Sequence, residues 1–147
     1  MIIDASNKEI INTKEVCYHD DTLKKLTFDR MKKELRLKIR KCETGKHTEI
    51  VFQNVIQFTM SACEYWGRRE YILGFCLLRP EQEEMIPKIF KKRVEYDDCP
   101  LRSYEFCTLK SREVYFETAM TFASGDELLV ACERIELERS ELENAAE

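Results

Sequence analysis

Residues 33–40 read Lys-Glu-Leu-Arg-Leu-Lys-Ile-Arg, and that order leaves the backbone little choice. Along an extended chain successive side chains point to opposite faces, so Leu35, Leu37 and Ile39 share one side while Glu34, Arg36, Lys38 and Arg40 share the other. A helix of about 3.6 residues per turn would scatter those three apolar residues around its axis. The pattern therefore predicts a strand with one dry and one wet face.

The same alternation recurs along the chain. From Leu23 to Asp29, Leu26 and Phe28 alternate with Lys25 and Thr27, and a polar turn near 29–33 joins this segment to the first strand as a hairpin. Cys42–His47 is a second turn, with Gly45 expected at positive φ. In the extended segment 48–65, Ile50 and Phe52 share a parity with Ile56, Phe58 and Met60, while Val51 and Val55 show the opposite one. Asn54 between them marks a bulge or a bend. Residues 70–78 are apolar on both parities and read as a central strand covered on both sides. Strands are also expected at 103–109, 112–122 and 127–137. The last two are joined by Ala123-Ser-Gly-Asp126, with Ser-Gly or Gly-Asp at the two central turn positions. Leu128, Val130 and Cys132 have one parity and Ile135 and Leu137 the other, which predicts a second irregularity near Glu133–Arg134.

Residues 80–93 break the rhythm. Pro80 followed by Glu81, Glu83 and Glu84 suits a helix start, and Lys88, Lys91, Lys92 and Arg93 suit its far end. Pro87 in the interior predicts a kink or two short turns. Residues 1–14 hold two apolar pairs, Ile2-Ile3 and Ile10-Ile11, around polar residues and are expected to be loosely ordered, as is a frayed tail at 139–147. The expected fold is one domain over 1–147, mainly β (α+β). It has six to eight antiparallel strands in a curved sheet, sandwich or partly open barrel, with one short helical insertion near 80–93.

Composition narrows the classes. With 44% apolar and 35% charged residues over 147, the chain suits a folded domain rather than a disordered one. A net charge of −4 gives no bulk reason to expect nucleic acid as a partner. No apolar run approaches the roughly 20 residues that cross a bilayer, and the first residues lack a secretory pattern, so no membrane partner is expected. Seven cysteines, an odd number without a Cys-x-x-Cys, point to unpaired thiols in a reducing cytoplasm.

Two clusters carry chemistry. His19-Asp20-Asp21 sets an imidazole beside two carboxylates, the residue types of a general base or a metal ligand set. The plainer reading is an Asx-type turn ahead of the strand at Leu23. Tyr65, Trp66, Arg68 and Arg69 gather at an expected turn and are types that often dominate protein interfaces. The competing reading has Trp66 closing the core and the arginines solvated. Basic Lys32–Lys41 and Lys88–Arg93 read as a wet strand face and a helix end. No Gly-x-Ser-x-Gly or glycine-rich phosphate loop occurs, and neither a metal nor a cofactor is implied.

Tyr18-His19-Asp20-Asp21, then Leu35-x-Leu37-x-Ile39, Ile50-Val-Phe52-x-Asn-Val55 and Ser124-Gly125-Asp126-Glu127-Leu128 follow in an order that resembles small bacterial β-rich domains of unknown function. Some of those are grouped with immunity proteins of toxin systems. The resemblance implies a small acidic cytoplasmic partner-binder and carries over no catalytic residue. The first expectation is thus a non-enzymatic protein-interaction module, of immunity type, using a sheet face or the Trp66 turn, with charge complementarity to its target. The alternative is a small enzyme or ligand-binding barrel built on His19, Asp20 and Asp21. The third is a homo-oligomer joined through a strand edge.

Overall fold

The computed structural model describes residues 1–61, 71–78 and 115–138. The turn with Tyr65, Trp66, Arg68 and Arg69, the helical insertion near 80–93, the strand at 103–109 and the tail at 139–147 lie outside the described residues.

The protein is mainly β. Its described strands are β1 (Ile2–Asp4), β2 (Thr22–Asp29), β3 (Glu34–Arg40), β4 (His47–Gln53), β5 (Gln57–Met60), β6 (Ile72–Leu77), β7 (Phe116–Phe122), β8 (Glu127–Cys132) and β9 (Arg134–Leu137). They form two antiparallel sheets, one of five strands ordered β1-β9-β4-β3-β2 and one of four ordered β5-β8-β7-β6, and the sheets are not closed into a barrel. Among the described residues no helix is long and apolar enough to cross a membrane.

Nine described strands exceed the six to eight expected, because both long segments bend in two and β1 forms where no strand was expected. Asn54 adopts φ of 51° between β4 and β5, and Glu133 separates β8 from β9. The two bends lie side by side. The Glu133 N–H donates to the Gln53 carbonyl at 3.3 Å, the Ile56 N–H to the Ala131 carbonyl at 2.8 Å, and Asn54 Nδ2 to Glu133 Oε2 at 3.1 Å. Two neighbouring strands thus cross together from one sheet to the other, which is why each changes parity at its bend.

Bulges settle the other parity conflicts. In β2 the register skips between Leu23 and Lys25, so Leu23 is buried with the core although its parity differs from Leu26. In β6 the skip lies between Ile72 and Gly74, which turns Ile72, Phe75 and Leu77 inward and leaves Leu73 and Cys76 exposed. This corrects the reading of 70–78 as a central strand covered on both sides, and among the described strands β6 stands last in the order of its sheet. Its two-sided apolarity reflects the bulge and an exposed leucine. The β2 and β6 starts meet at one isolated bridge, Thr22–Tyr71.

Residues 1–14, expected to be loosely ordered, are tied down. β1 pairs with β9, Ile3 and Ile11 are buried in the core, and Asn12 Oδ1 accepts the Leu77 N–H at 2.9 Å. The β7–β8 turn also differs from expectation. The Gly125 N–H donates to the Phe122 carbonyl at 2.9 Å, so Ala123 and Ser124 take the central positions. Gly125 follows at φ of 89°, the three-residue hairpin form that needs a left-handed third residue. Gly45 sits at φ of 69° as its turn predicts.

One continuous core joins the inner faces, with Leu35, Leu37, Ile39 and Phe52 from one sheet and Met120, Phe122, Leu128 and Val130 from the other. Two core residues support predictions. Thr118 Oγ1 is buried without a hydrogen-bond partner among the described residues. Thr118→Val, nearly the same shape without the orphaned hydroxyl, is expected to stabilise the fold by about 1 kcal/mol in urea unfolding. A loss of stability would mean that the hydroxyl is satisfied.

The second concerns Cys132, whose thiol burial pushes up to about 12 from an ordinary 9.0. As pH rises past about 9 the unfolded chain releases this proton first, so stability present below that pH is lost through the window up to about 12, by at most about 1.4 kcal/mol per pH unit. The difference between wild type and Cys132→Ala, followed against pH by urea unfolding, should show that slope. Parallel curves would disprove it. In the native state Cys17, Cys42 and Cys76 should alkylate before Cys132 in peptide mapping, since they are exposed and Cys132 is buried.

Candidate functional site

The chain between the amino-terminal segment and β2 turns sharply at Tyr18–Asp21. The Asp21 N–H donates to the Tyr18 carbonyl at 3.0 Å, and Asp20, third in the turn, adopts φ of 70°. Aspartate tolerates the left-handed region better than most side chains. The turn is fastened to the start of β6 by two backbone bonds of 2.8 Å, from the Asp20 N–H to the Ile72 carbonyl and from the Ile72 N–H to the Asp21 carbonyl.

This geometry divides the histidine–aspartate trio. His19 Nδ1 stands 3.1 Å from Asp20 Oδ2, and both side chains are more than half exposed, at 58% and 64%. Asp21 points the other way and is buried, at 4%. Its Oδ2 lies 2.5 Å from Lys41 Nζ and its Oδ1 accepts the Cys42 N–H at 2.9 Å. Lys41 Nζ also donates to the Cys17 carbonyl at 3.3 Å and sits 4.8 Å from the centre of the Tyr18 ring. Among the described residues no three His, Cys, Asp or Glu side chains gather in a metal-holding group.

All three residues of the trio nevertheless border one cleft. It has a volume of about 520 Å³ and is lined in part by Tyr18, His19, Asp20, Asp21, Lys41 and Cys42. The Asp21–Lys41 pair forms part of its wall, and His19 and Asp20 are solvent-exposed along it.

Lys41 was not among the candidates, yet the sequence carried its signal. It follows β3 directly and continues the parity of Leu35, Leu37 and Ile39, which places an ammonium toward the dry side. A cation placed there requires a counter-charge, and Asp21 supplies it.

Asp126 is a second buried carboxylate. It accepts Ser61 Oγ at 3.0 Å and Ser124 Oγ at 2.7 Å, while Ser61 Oγ accepts the Glu127 N–H at 2.7 Å. Both oxygens are spent on holding the β7–β8 turn against the end of β5. The interface candidates Tyr65, Trp66, Arg68 and Arg69 lie outside the described residues. No family model, curated protein or solved structure matches the chain.

Proposed function

We propose that the chain is a non-enzymatic module that binds another protein through the β2–β3 hairpin. The observation that carries this reading is the edge that this hairpin makes among the described strands. β2 stands last in the five-stranded sheet, Lys24, Lys25, Thr27, Phe28 and Asp29 are exposed, and Met31 at the tip is 92% exposed. Met31 left in water at the hairpin tip and Phe28, more than a third exposed, are apolar surface that a partner would cover at a gain. The resemblance to immunity-type domains points the same way.

The buried polar atoms of the cleft support this reading, because both Asp21 oxygens and the Lys41 ammonium already have partners inside the chain. The test is cross-linking from a photoreactive residue at position 31 in the cells that express the protein, then reconstitution from purified components. A saturable complex lost in Phe28→Ala/Met31→Ser supports the reading. A complex indifferent to both changes, or no complex at all, overturns it.

A ligand-binding reading has one observation in its favour, the cleft of about 520 Å³ bordered by His19, Asp20 and Asp21. That volume falls within the roughly 300–1,000 Å³ of small-molecule sites. With Glu15, Glu43 and Glu138 against Lys14 in the rest of its lining, the balance is acidic and the ligand would be a cation.

A further inference from the structure

Resting on the protein-binding reading, we infer that the wet face of the β2–β3 hairpin docks an acidic segment of the partner protein. The strand register carries the inference. Lys25 stands directly opposite Lys38, and the bulge after Leu23 inserts Lys24 beside Lys25, so two lysines of β2 face one of β3. Like charges directly opposed across strands destabilise a sheet. Arg36 and Arg40 flank Lys38 on the same face.

The sheet neutralises only one end of this row. Arg36 lies 3.3 Å from both Glu34 and Glu49. Glu49 is directly opposite Lys38 on β4, yet it turns to Arg36. Among the described residues Lys24, Lys25, Lys38 and Arg40 make no ion pair, and all four are exposed. A basic face on a chain of net charge −4 is a local feature, opposite in sign to what the whole molecule would lead one to expect of its partner.

Protection of a sheet edge explains lysines on β2, since charged edge strands resist unwanted pairing. It does not explain Lys38 and Arg40, which sit one strand further in. An anion placed over the Lys25–Lys38 pair relieves their repulsion, and carboxylates on a bound segment supply it. The patch is short and bounded by Glu34, Glu49 and Asp29, which suits a brief acidic stretch better than a long polyanion.

The test titrates the full chain with a polyglutamate dodecapeptide and, separately, with an oligothymidylate of equal charge, following backbone amides by NMR. The peptide should shift amides of β2 and β3, and Lys25→Glu/Lys38→Glu should weaken it at least about tenfold, while Lys8→Glu/Lys14→Glu, with the same change in charge, leaves it unaltered. Lys25→Glu alone should also raise the melting temperature by about 1–4 °C, because its cross-strand neighbour is Lys38 and the change replaces a like pair by an opposite one. No binding, equal loss in both double variants, tighter binding of the oligonucleotide or a lowered melting temperature would each overturn the inference. A partner captured by cross-linking that protects amides away from Lys25 and Lys38 would overturn the acidic-segment assignment and leave the protein-binding reading in place.

Discussion

Phe52→Ala is expected to lower stability by about 3–5 kcal/mol, the range for emptying a fully buried aromatic site. Phe52 is fully buried in β4, where it pairs with Leu35 of β3 on one side and Ile135 of β9 on the other. Its ring meets that of Phe75 in β6 edge to face, with centroids 6.3 Å apart at 88°. The cavity would therefore open between the sheets rather than within one. Native domains are stable by only about 5–15 kcal/mol, so the variant should be partly unfolded at physiological temperature. Phe28→Ala is the control. Phe28 also meets a ring of the other sheet, with centroids 4.8 Å from Phe58, but it is 38% exposed and should cost about 1–2 kcal/mol. Urea unfolding of both variants decides the matter. Equal losses would mean that the sheets do not share one interior.

The dry face that holds Phe52 was legible because burial on one side of a strand writes itself as period two. Leu35, Leu37, Ile39, Ile50 and Phe52 are all fully buried where their alternation puts them. The positions of the bends were legible too, as parity changes at Asn54 and near Glu133. Their meaning was not: that β4 and β9 bend as neighbours is a pairing between residues about eighty positions apart, and no local pattern encodes it. β6 was misjudged for a related reason. A bulge shifts the inward set by one residue, so Ile72 and Phe75 imitate a strand that is apolar on both faces.

The site was legible in part. Adjacent placement of His19, Asp20 and Asp21 suggested a cluster, but a turn sends successive side chains in different directions. The left-handed Asp20 separates an exposed pair from a buried carboxylate. Asp21 then finds its partner on the far side of the β2–β3 hairpin, at Lys41. The basic row around Lys38 was visible as sequence and was read as solvated surface. Only the register shows that Lys25 faces Lys38, and among the described residues neither makes an ion pair.

Asp21→Ala is expected to cost about 2–4 kcal/mol, since it strips a charge-assisted bond from a largely buried ammonium and leaves the Cys42 N–H without its acceptor. Lys41→Met should cost at least as much, because the carboxylate it abandons is the more buried member of the pair. Asp21→Asn retains an acceptor for the Cys42 N–H but not the charge, and an intermediate loss of about 1–2 kcal/mol is expected. Pairing Asp21→Leu with Lys41→Met should recover much of either single loss, since a buried ion pair replaced by matched apolar groups is often close to neutral. Local loosening should accompany the change: amide exchange at Asp20 and Ile72, which hold the turn to β6, should accelerate more than exchange at Leu37. The sign of the Asp21→Asn effect also separates the two functional readings. Residues kept for binding or chemistry are commonly held at a cost to the fold, so their replacement stabilises. A gain in stability would argue that Asp21 is reserved for a ligand in the cleft and would favour the cation-binding reading. The expected loss would identify it as the latch that fixes the Tyr18–Asp21 turn between the β3–β4 turn and β6.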